Sequence, residues 1–318
     1  MRKAFVLTAC VVALASLSLL AQNEMDLEAA LSLFDENGTV QIPYSDEGRV
    51  QLEGMIVAFR AALGVTDDLD EANEDAVMAF AVDESQILIL NRLAQAYYTM
   101  ADLFLEGDDA ERPTYLKGKH WGLKSLRIDP EFAAVEASDG FEAAAAISEN
   151  LGALYWGAST WLRAAQFNPL EAVFAGVPSK TEAMSLRCLE LDDAFTAYGS
   201  YRALAAFWAG LPKLPAGTYR KNWNKSLGYF CKVVNEPELC AECSDCPDFG
   251  PFDPAADLYF ENRLFLVEFY LMERGMWEDA KRILDEVLAE PVGDLYPLYN
   301  AMAQEKATRF LEEVEEHL

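Results

Sequence analysis

Histidine is nearly missing from this sequence, since His120 and His317 are the only two among 318 residues. A Ser-His-Asp hydrolase needs a histidine as its general base. His317 lies at the C-terminal end, and His120 stands beside Trp121 in a helical pattern, where a packed histidine is the simpler interpretation. We therefore predict a protein that is not an enzyme, with no catalytic residue, no metal site and no cofactor.

Positive charge is also scarce, because 25 Lys and Arg residues face 53 Asp and Glu residues, which gives a formal net charge of −28. Such an acidic surface repels the phosphates of nucleic acids and of anionic membranes. Nucleic acid is thereby excluded as a partner. Either the acidity keeps a long helical surface soluble, or it steers a basic partner toward the protein.

Long apolar runs are confined to the N-terminus. Arg2 and Lys3 precede an uncharged apolar stretch that ends in small and polar residues, which is the pattern of an export signal. We expect residues 1–21 to be this signal, with cleavage near Ala21 and a periplasmic product. Lipid attachment at Cys10 is the alternative. No later run is long enough to span a bilayer.

Strand signals are nearly absent, and helical periodicity dominates instead. Residues 264–291 give the clearest unit: two amphipathic segments on either side of Gly275, with Trp277 and Ala280 opening the second and Pro291 ending it. This spacing is typical of a tetratricopeptide repeat. One hairpin cannot bury its own apolar face, so further hairpins of the same kind must stack against it. We predict an all-α solenoid of degenerate, tetratricopeptide-like helical hairpins, formed by residues 22–318 as a single domain.

Helix-breaking and helix-capping residues predict where helices begin and end in the other hairpins. We expect a loop at 107–113, one long helix at 143–167, and a capping box in which Ser179 and Glu182 start a helix. The last helix should close the solenoid, with charged residues such as Lys306 on its outer face.

Aromatic residues are concentrated in two nearly uncharged segments. These segments can be core helices that cross closely, or they can be the walls of a cleft that accepts an apolar small molecule. The candidate cleft residues are Tyr155, Trp156, Trp161, Tyr198, Tyr201, Phe207 and Trp208.

Four cysteines crowd the loop at 231–250: Cys231, Cys240, Cys243 and Cys246. Their C-x-x-C intervals suit part of an iron–sulfur or zinc motif, although the shared middle cysteine makes the zinc pattern imperfect. In an exported chain, disulfides that staple a loop are the favoured interpretation. The spacing leaves their connectivity open, and Cys188 is expected to be a buried thiol.

Adjacent acids at Asp192 and Asp193 invite a general acid and base hypothesis. However, Leu191-Asp192-Asp193-Ala194-Phe195 repeats the form of Ile128-Asp129-Pro130-Glu131-Phe132, so both stretches are better explained as turns into a following helix.

Four segments occur in an order and spacing that resemble the T component (TatT family) of tripartite ATP-independent periplasmic (TRAP) transporters. They are Leu154-Tyr155-Trp156, residues 187–192, Phe207-Trp208 with its Leu211-Pro212 turn, and residues 298–304. The resemblance extends from about residue 93 to residue 311. The cysteine-rich loop is not expected of that family.

This resemblance implies an all-helical periplasmic protein, usually lipid-anchored, that assembles as a homotrimer. It also implies a helper that docks the substrate-binding P component and holds an apolar ligand in a hydrophobic cleft. The alternative is a general tetratricopeptide scaffold for a cell-envelope assembly, without a small ligand.

Overall fold

The computed structural model describes residues 25–213, 219–243 and 245–318. Of these residues, 72% are helical, and they form sixteen packed α-helices and no β-strand. The predicted all-α fold of packed helical hairpins is therefore confirmed. Two predicted processing sites, Cys10 and Ala21, lie outside the described residues.

The first half of the chain supplies eight helices. They are α1 (Leu27–Ser32), α2 (Asp46–Leu63), α3 (Glu74–Ala79), α4 (Ile87–Phe104), α5 (Asp108–Arg127), α6 (Pro130–Asp139), α7 (Phe141–Ile147) and α8 (Leu151–Gln166).

The second half supplies eight more. They are α9 (Pro169–Phe174), α10 (Val177–Leu191), α11 (Phe195–Gly210), α12 (Trp223–Val233), α13 (Pro237–Ala241), α14 (Glu261–Leu266), α15 (Trp277–Ala289) and α16 (Pro297–Glu315). None of the described helices is both long and apolar enough to cross a membrane.

The hairpin that the sequence predicts most clearly is present as α14 and α15. Helix α14 continues through one π turn, Val267–Leu271, and ends at Gly275, whose φ of 69° is the left-handed conformation that glycine adopts without strain. Ala280, Ile283, Leu284 and Val287 then form the buried stripe of α15. Gly275 is therefore the breaker that the sequence indicates.

Three local predictions are corrected. The expected loop at 107–113 is mostly helix, because acidic residues in the first turn of α5 favour a helix N-terminus and Glu111 accepts a hydrogen bond from the Gly107 N–H. The expected helix at 143–167 is split into α7 and α8, where Asn150 caps α8. The capping box at Ser179 does not form, because α10 has already begun at Val177 and Ser179 donates to Glu142 instead.

Glycine allows the central pair of helices to approach closely. A Cβ atom added at Gly122 of α5 would lie 2.7 Å from the Cα atom of Gly157 in α8, and one added at Gly118 would lie 2.7 Å from the Thr160 methyl group. The α5–α8 crossing thus places α8 in the middle of the molecule, with α4 on one side and α10 on the other.

Two hydrophobic cores meet at helix α11. The first contains residues from Ala30 to Ala197, and the second contains residues from Tyr198 to Val314. Helix α16 belongs to both, because Leu298, Tyr299 and Met302 pack in the first core and Ala303 packs in the second.

The predicted outer face of the last helix is corrected for Lys306. Its side chain is mostly buried and its Nζ atom lies 3.9 Å from Glu261 and 4.0 Å from Glu268. Helix α16 therefore joins the interior of both halves as well as covering an end.

A buried carboxylate in the loop before α3 joins α2, α4 and α5. Glu71 accepts hydrogen bonds from Tyr97 (2.8 Å) and Trp121 (2.6 Å), and it forms an ion pair with Arg60 at 2.9 Å. The carboxylate thus pairs two buried donors that have no other acceptor among the described residues, and it adds a second carboxylate to Arg60, which also pairs with Asp67.

We expect Glu71→Ala to lower the free energy of unfolding by about 3–5 kcal/mol, because it leaves the buried donors of Tyr97 and Trp121 unpaired and removes the closer of the two carboxylates that contact Arg60. Urea denaturation followed by circular dichroism measures this. Glu312→Ala, at an exposed site on α16, is the control and should change stability by less than about 0.5 kcal/mol. Equal effects of the two substitutions would contradict the structural role of Glu71.

Candidate functional site

A cavity of about 140 Å³ lies among α8, α9, α10, α11 and α14. An engineered protein cavity of about 150 Å³ holds a benzene ring, so this space suits a small apolar group. Most of its wall is aliphatic or aromatic. The lining residues are Tyr98, Tyr155, Ser159, Leu162, Arg163, Ala165, Gln166, Pro169, Ala172, Val173, Val177, Pro178, Gly199, Arg202, Ala203, Ala206, Phe207, Gly210, Leu211, Pro212, Phe265 and Phe269.

Helix α11 enters the cavity wall through a left-handed turn. Thr196, Ala197 and Tyr198 have φ values of 54°, 54° and 62°, which L-residues other than glycine rarely adopt. Each such residue costs roughly 1–2 kcal/mol relative to the right-handed form. Strained backbone of this kind is concentrated at functional sites.

Hydrogen bonds to buried side chains hold the turn. The Ala197 carbonyl accepts from Arg202 Nη1 at 3.3 Å and from Asn262 Nδ2 at 3.2 Å. Asn262 also donates to the Ala256 carbonyl at 2.8 Å and accepts from Arg202 Nη1 at 2.6 Å. We call Arg202, Asn262 and the Ala197 carbonyl the arginine node.

Arg202 is a buried cation without an ion pair among the described residues. Only 6% of it is exposed, and its guanidinium lies 4.7 Å from the ring of Tyr259 and 5.6 Å from the ring of Phe265. Burial alone lowers the pKa of an arginine, but Tyr155, Tyr259 and Glu261 together raise the pKa of Arg202 above its ordinary value. The side chain is therefore charged at every physiological pH.

The other arginine of the cavity wall, Arg163, forms an ion pair with Asp102. Arg163 Nε donates to Asp102 at 2.9 Å, and Tyr115 donates to the same carboxylate at 3.0 Å. Burial alone raises the pKa of Asp102, but Arg163 and its other neighbours lower it below its ordinary value, so the pair is ionised.

Of the seven aromatic cleft candidates, the structure brings Tyr155 and Phe207 into the cavity wall. Tyr155 reaches it because Gly199 opposite has no side chain, and a Cβ atom at Gly199 would collide with the tyrosine hydroxyl. Its hydroxyl lies 3.3 Å from Arg202 Nη2.

The other two candidates of α8 pack elsewhere. Trp156 is buried between Tyr155 and Tyr98, with ring centroids 4.8 Å and 5.5 Å away, so it belongs to the core. Trp161 packs edge-on against Phe141 and lies under the amino groups of Lys119 and Lys180. Neither residue lines this cavity.

Three candidates of α11 also lie outside the wall. Tyr198 donates to Asp253, and Tyr201 packs against Phe249 at 5.5 Å. Trp208 stacks on Tyr219 at 6.0 Å and lies 3.8 Å from the Lys225 ammonium. These rings join α11 to the segments that follow it.

The wall residues that sequence reasoning missed include Arg163, Arg202 and Gln166. A signal was present for the first two, because each is the only charged residue in its own helix, α8 or α11. A single charge in an otherwise uncharged helix is costly to bury and therefore marks a functional position. Asn262, which holds Arg202, carries no comparable signal.

The structure pairs all four cysteines of the 231–250 loop, Cys231 with Cys240 and Cys243 with Cys246. Phe249 packs this loop against α12, because its ring stacks on the ring of Tyr229 with the two centroids 4.4 Å apart. Cys188 is a free, buried thiol, and burial raises its pKa to about 12. No group of three or more potential metal ligands occurs in the described part of the chain.

The predicted turn residues have structural roles. Asp192 follows the last residue of α10 and accepts from the Ala194 N–H, and Asp193 lies 3.4 Å from the Tyr201 hydroxyl. His120 is buried against the Glu71 carbonyl at 2.9 Å, and its burial lowers its pKa. Asp192, Asp193 and His120 all lie outside the cavity wall.

We expect Thr196→Gly to raise the free energy of unfolding by about 1 kcal/mol, because it relieves a β-branched residue at positive φ and removes a buried hydroxyl without a partner. Thr308→Gly, at an exposed position of α16, should lower it by about 0.5 kcal/mol. Urea denaturation of both variants shows whether the free energy of unfolding rises or falls in each. If both are destabilised equally, the turn is not strained.

We expect one thiol, Cys188, to react with Ellman's reagent when the protein from Gln22 onward is unfolded without reductant. Four further thiols should react after reduction, because both disulfides are then open. Four reactive thiols in the untreated protein would contradict the pairing.

No protein-family model matches this sequence, and no curated protein shows significant similarity to it. The cavity, the strained turn and the arginine node are therefore the features of the molecule that point to a function.

Proposed function

We propose that this protein is a non-enzymatic helper of the cell envelope that binds a small, mainly apolar molecule in the cavity among α8, α9, α10, α11 and α14. It would act as the T component of a TRAP-type transporter does. The cavity itself is the observation that carries this proposal, because its size and wall suit an apolar group.

Burial of apolar surface would supply the affinity. Each buried methylene contributes about 0.8 kcal/mol, and Phe207, Phe265 and Phe269 offer rings for further contact. The described lining residues include no carboxylate, histidine, cysteine or lysine. The wall thus suits binding better than acid, base or nucleophilic catalysis.

Helix α9 supports the docking of a partner beside the cavity. Pro169, Ala172 and Val173 line the cavity, whereas Leu170 and Phe174 are 61% and 89% exposed. We propose that this exposed side contacts a periplasmic P component, which would bring the partner close to the bound molecule. The homotrimer, the tetratricopeptide ancestry of the hairpins and the periplasmic location belong to the same proposal.

We expect Ala206→Phe to weaken the binding of 4-phenylbutan-1-ol at least tenfold, because Ala206 is a half-buried lining residue and the larger ring would fill the cavity. Isothermal titration calorimetry at pH 7.5, on protein purified without detergent, measures the affinity.

The matched control is Ala134→Phe, at an exposed position of α6 outside the cavity, which should leave the affinity within about twofold. Melting temperatures of both variants show whether they are folded. Unchanged binding to folded Ala206→Phe, or no binding to the unaltered protein, would leave only the scaffold alternative.

A further inference from the structure

The hydrogen bonds of Arg202 leave one edge of its guanidinium free. Nη1 already has two acceptors, the Asn262 side chain and the Ala197 carbonyl. Nη2 has only the Tyr155 hydroxyl at 3.3 Å, and Nε has no hydrogen-bond acceptor among the described residues. Nε and Nη2 form the edge of an arginine that binds a carboxylate with two parallel hydrogen bonds. Tyr155 lines the cavity, so this edge lies on the cavity side.

No carboxylate among the described residues lies within ion-pair distance of Arg202. Asp102 is engaged by Arg163, and Glu261 and Glu268 lie 3.9 Å and 4.0 Å from Lys306. Glu261 raises the pKa of Arg202 without contacting it. The free edge of the guanidinium therefore has room for the carboxylate of a ligand.

Most of the other residues of the cavity wall are apolar. Leu162, Val173, Phe207 and Phe269 line the same cavity as Arg202. One charged group beside an apolar wall is the arrangement that fits an amphipathic anion.

We propose that the cavity binds a small organic carboxylate, with its carboxylate on Arg202 and its apolar part against Phe207 and Phe269. This inference rests on the proposed function, since it names the chemical class of ligand for the same cavity. It gives Arg202 a role in recognition in addition to its hold on the left-handed turn.

Three probes of equal length test this: 4-phenylbutanoate, 4-phenylbutan-1-ol and 4-phenylbutylamine, titrated by calorimetry at pH 7.5. The unaltered protein should bind the carboxylate at least tenfold more tightly than the alcohol, and the amine most weakly. Arg202→Met should lower the ratio of carboxylate affinity to alcohol affinity at least tenfold. Arg112→Met, at an exposed arginine of α5, is the matched control and should change neither.

A second variant keeps the test valid if Arg202→Met does not fold. Ala203→Asp places an anion at a half-buried lining position while Arg202 remains. It should weaken the carboxylate at least tenfold and strengthen the amine.

The outcomes separate the two proposals. If carboxylate and alcohol bind equally and neither variant changes their ratio, the anion inference is overturned while the apolar cavity stands. If none of the three probes binds, the proposed function fails and the inference fails with it.

Discussion

A buried arginine held by neutral partners is the interaction on which the centre of this protein depends. Arg202 and Asn262 both donate to the Ala197 carbonyl, and Asn262 accepts from Arg202. These bonds fix the left-handed turn at the start of α11, where the chain passes from the first core into the second. Without the turn, Gly199 would not face Tyr155, and the cavity would lose the wall that those residues form.

The free energy of backbone strain in the left-handed turn and the free energy of the hydrogen bonds in the arginine node are of comparable size. Three residues at positive φ cost roughly 1–2 kcal/mol each. Hydrogen bonds to a charged group contribute about 1.5–3 kcal/mol each, and Asn262 adds neutral bonds of about 1 kcal/mol. The node therefore offsets the strain of the turn, but it leaves Arg202 without a carboxylate in contact among the described residues.

The sequence predicts the hairpins better than the site, for a physical reason. Helix α15 has one apolar stripe and a glycine before it, so its buried face and its start can both be read from periodicity. Helices α8 and α11 are apolar on almost every side, so no pattern shows which of their aromatic rings face the cavity. The positions of Trp156 and Trp208 depend on neighbours that are distant in the chain. Lys306 was misplaced because its buried partners, Glu261 and Glu268, come from another hairpin.

A crystal structure of the protein grown with 4-phenylbutanoate tests the role of Arg202 most directly. We expect density for the ligand in the cavity, with its carboxylate oxygens within about 3 Å of Arg202 Nε and Nη2 and its ring beside Phe207. We also expect Thr196, Ala197 and Tyr198 to keep their positive φ. A cavity without ligand, or a right-handed helix at these three residues, would contradict the central role given to Arg202.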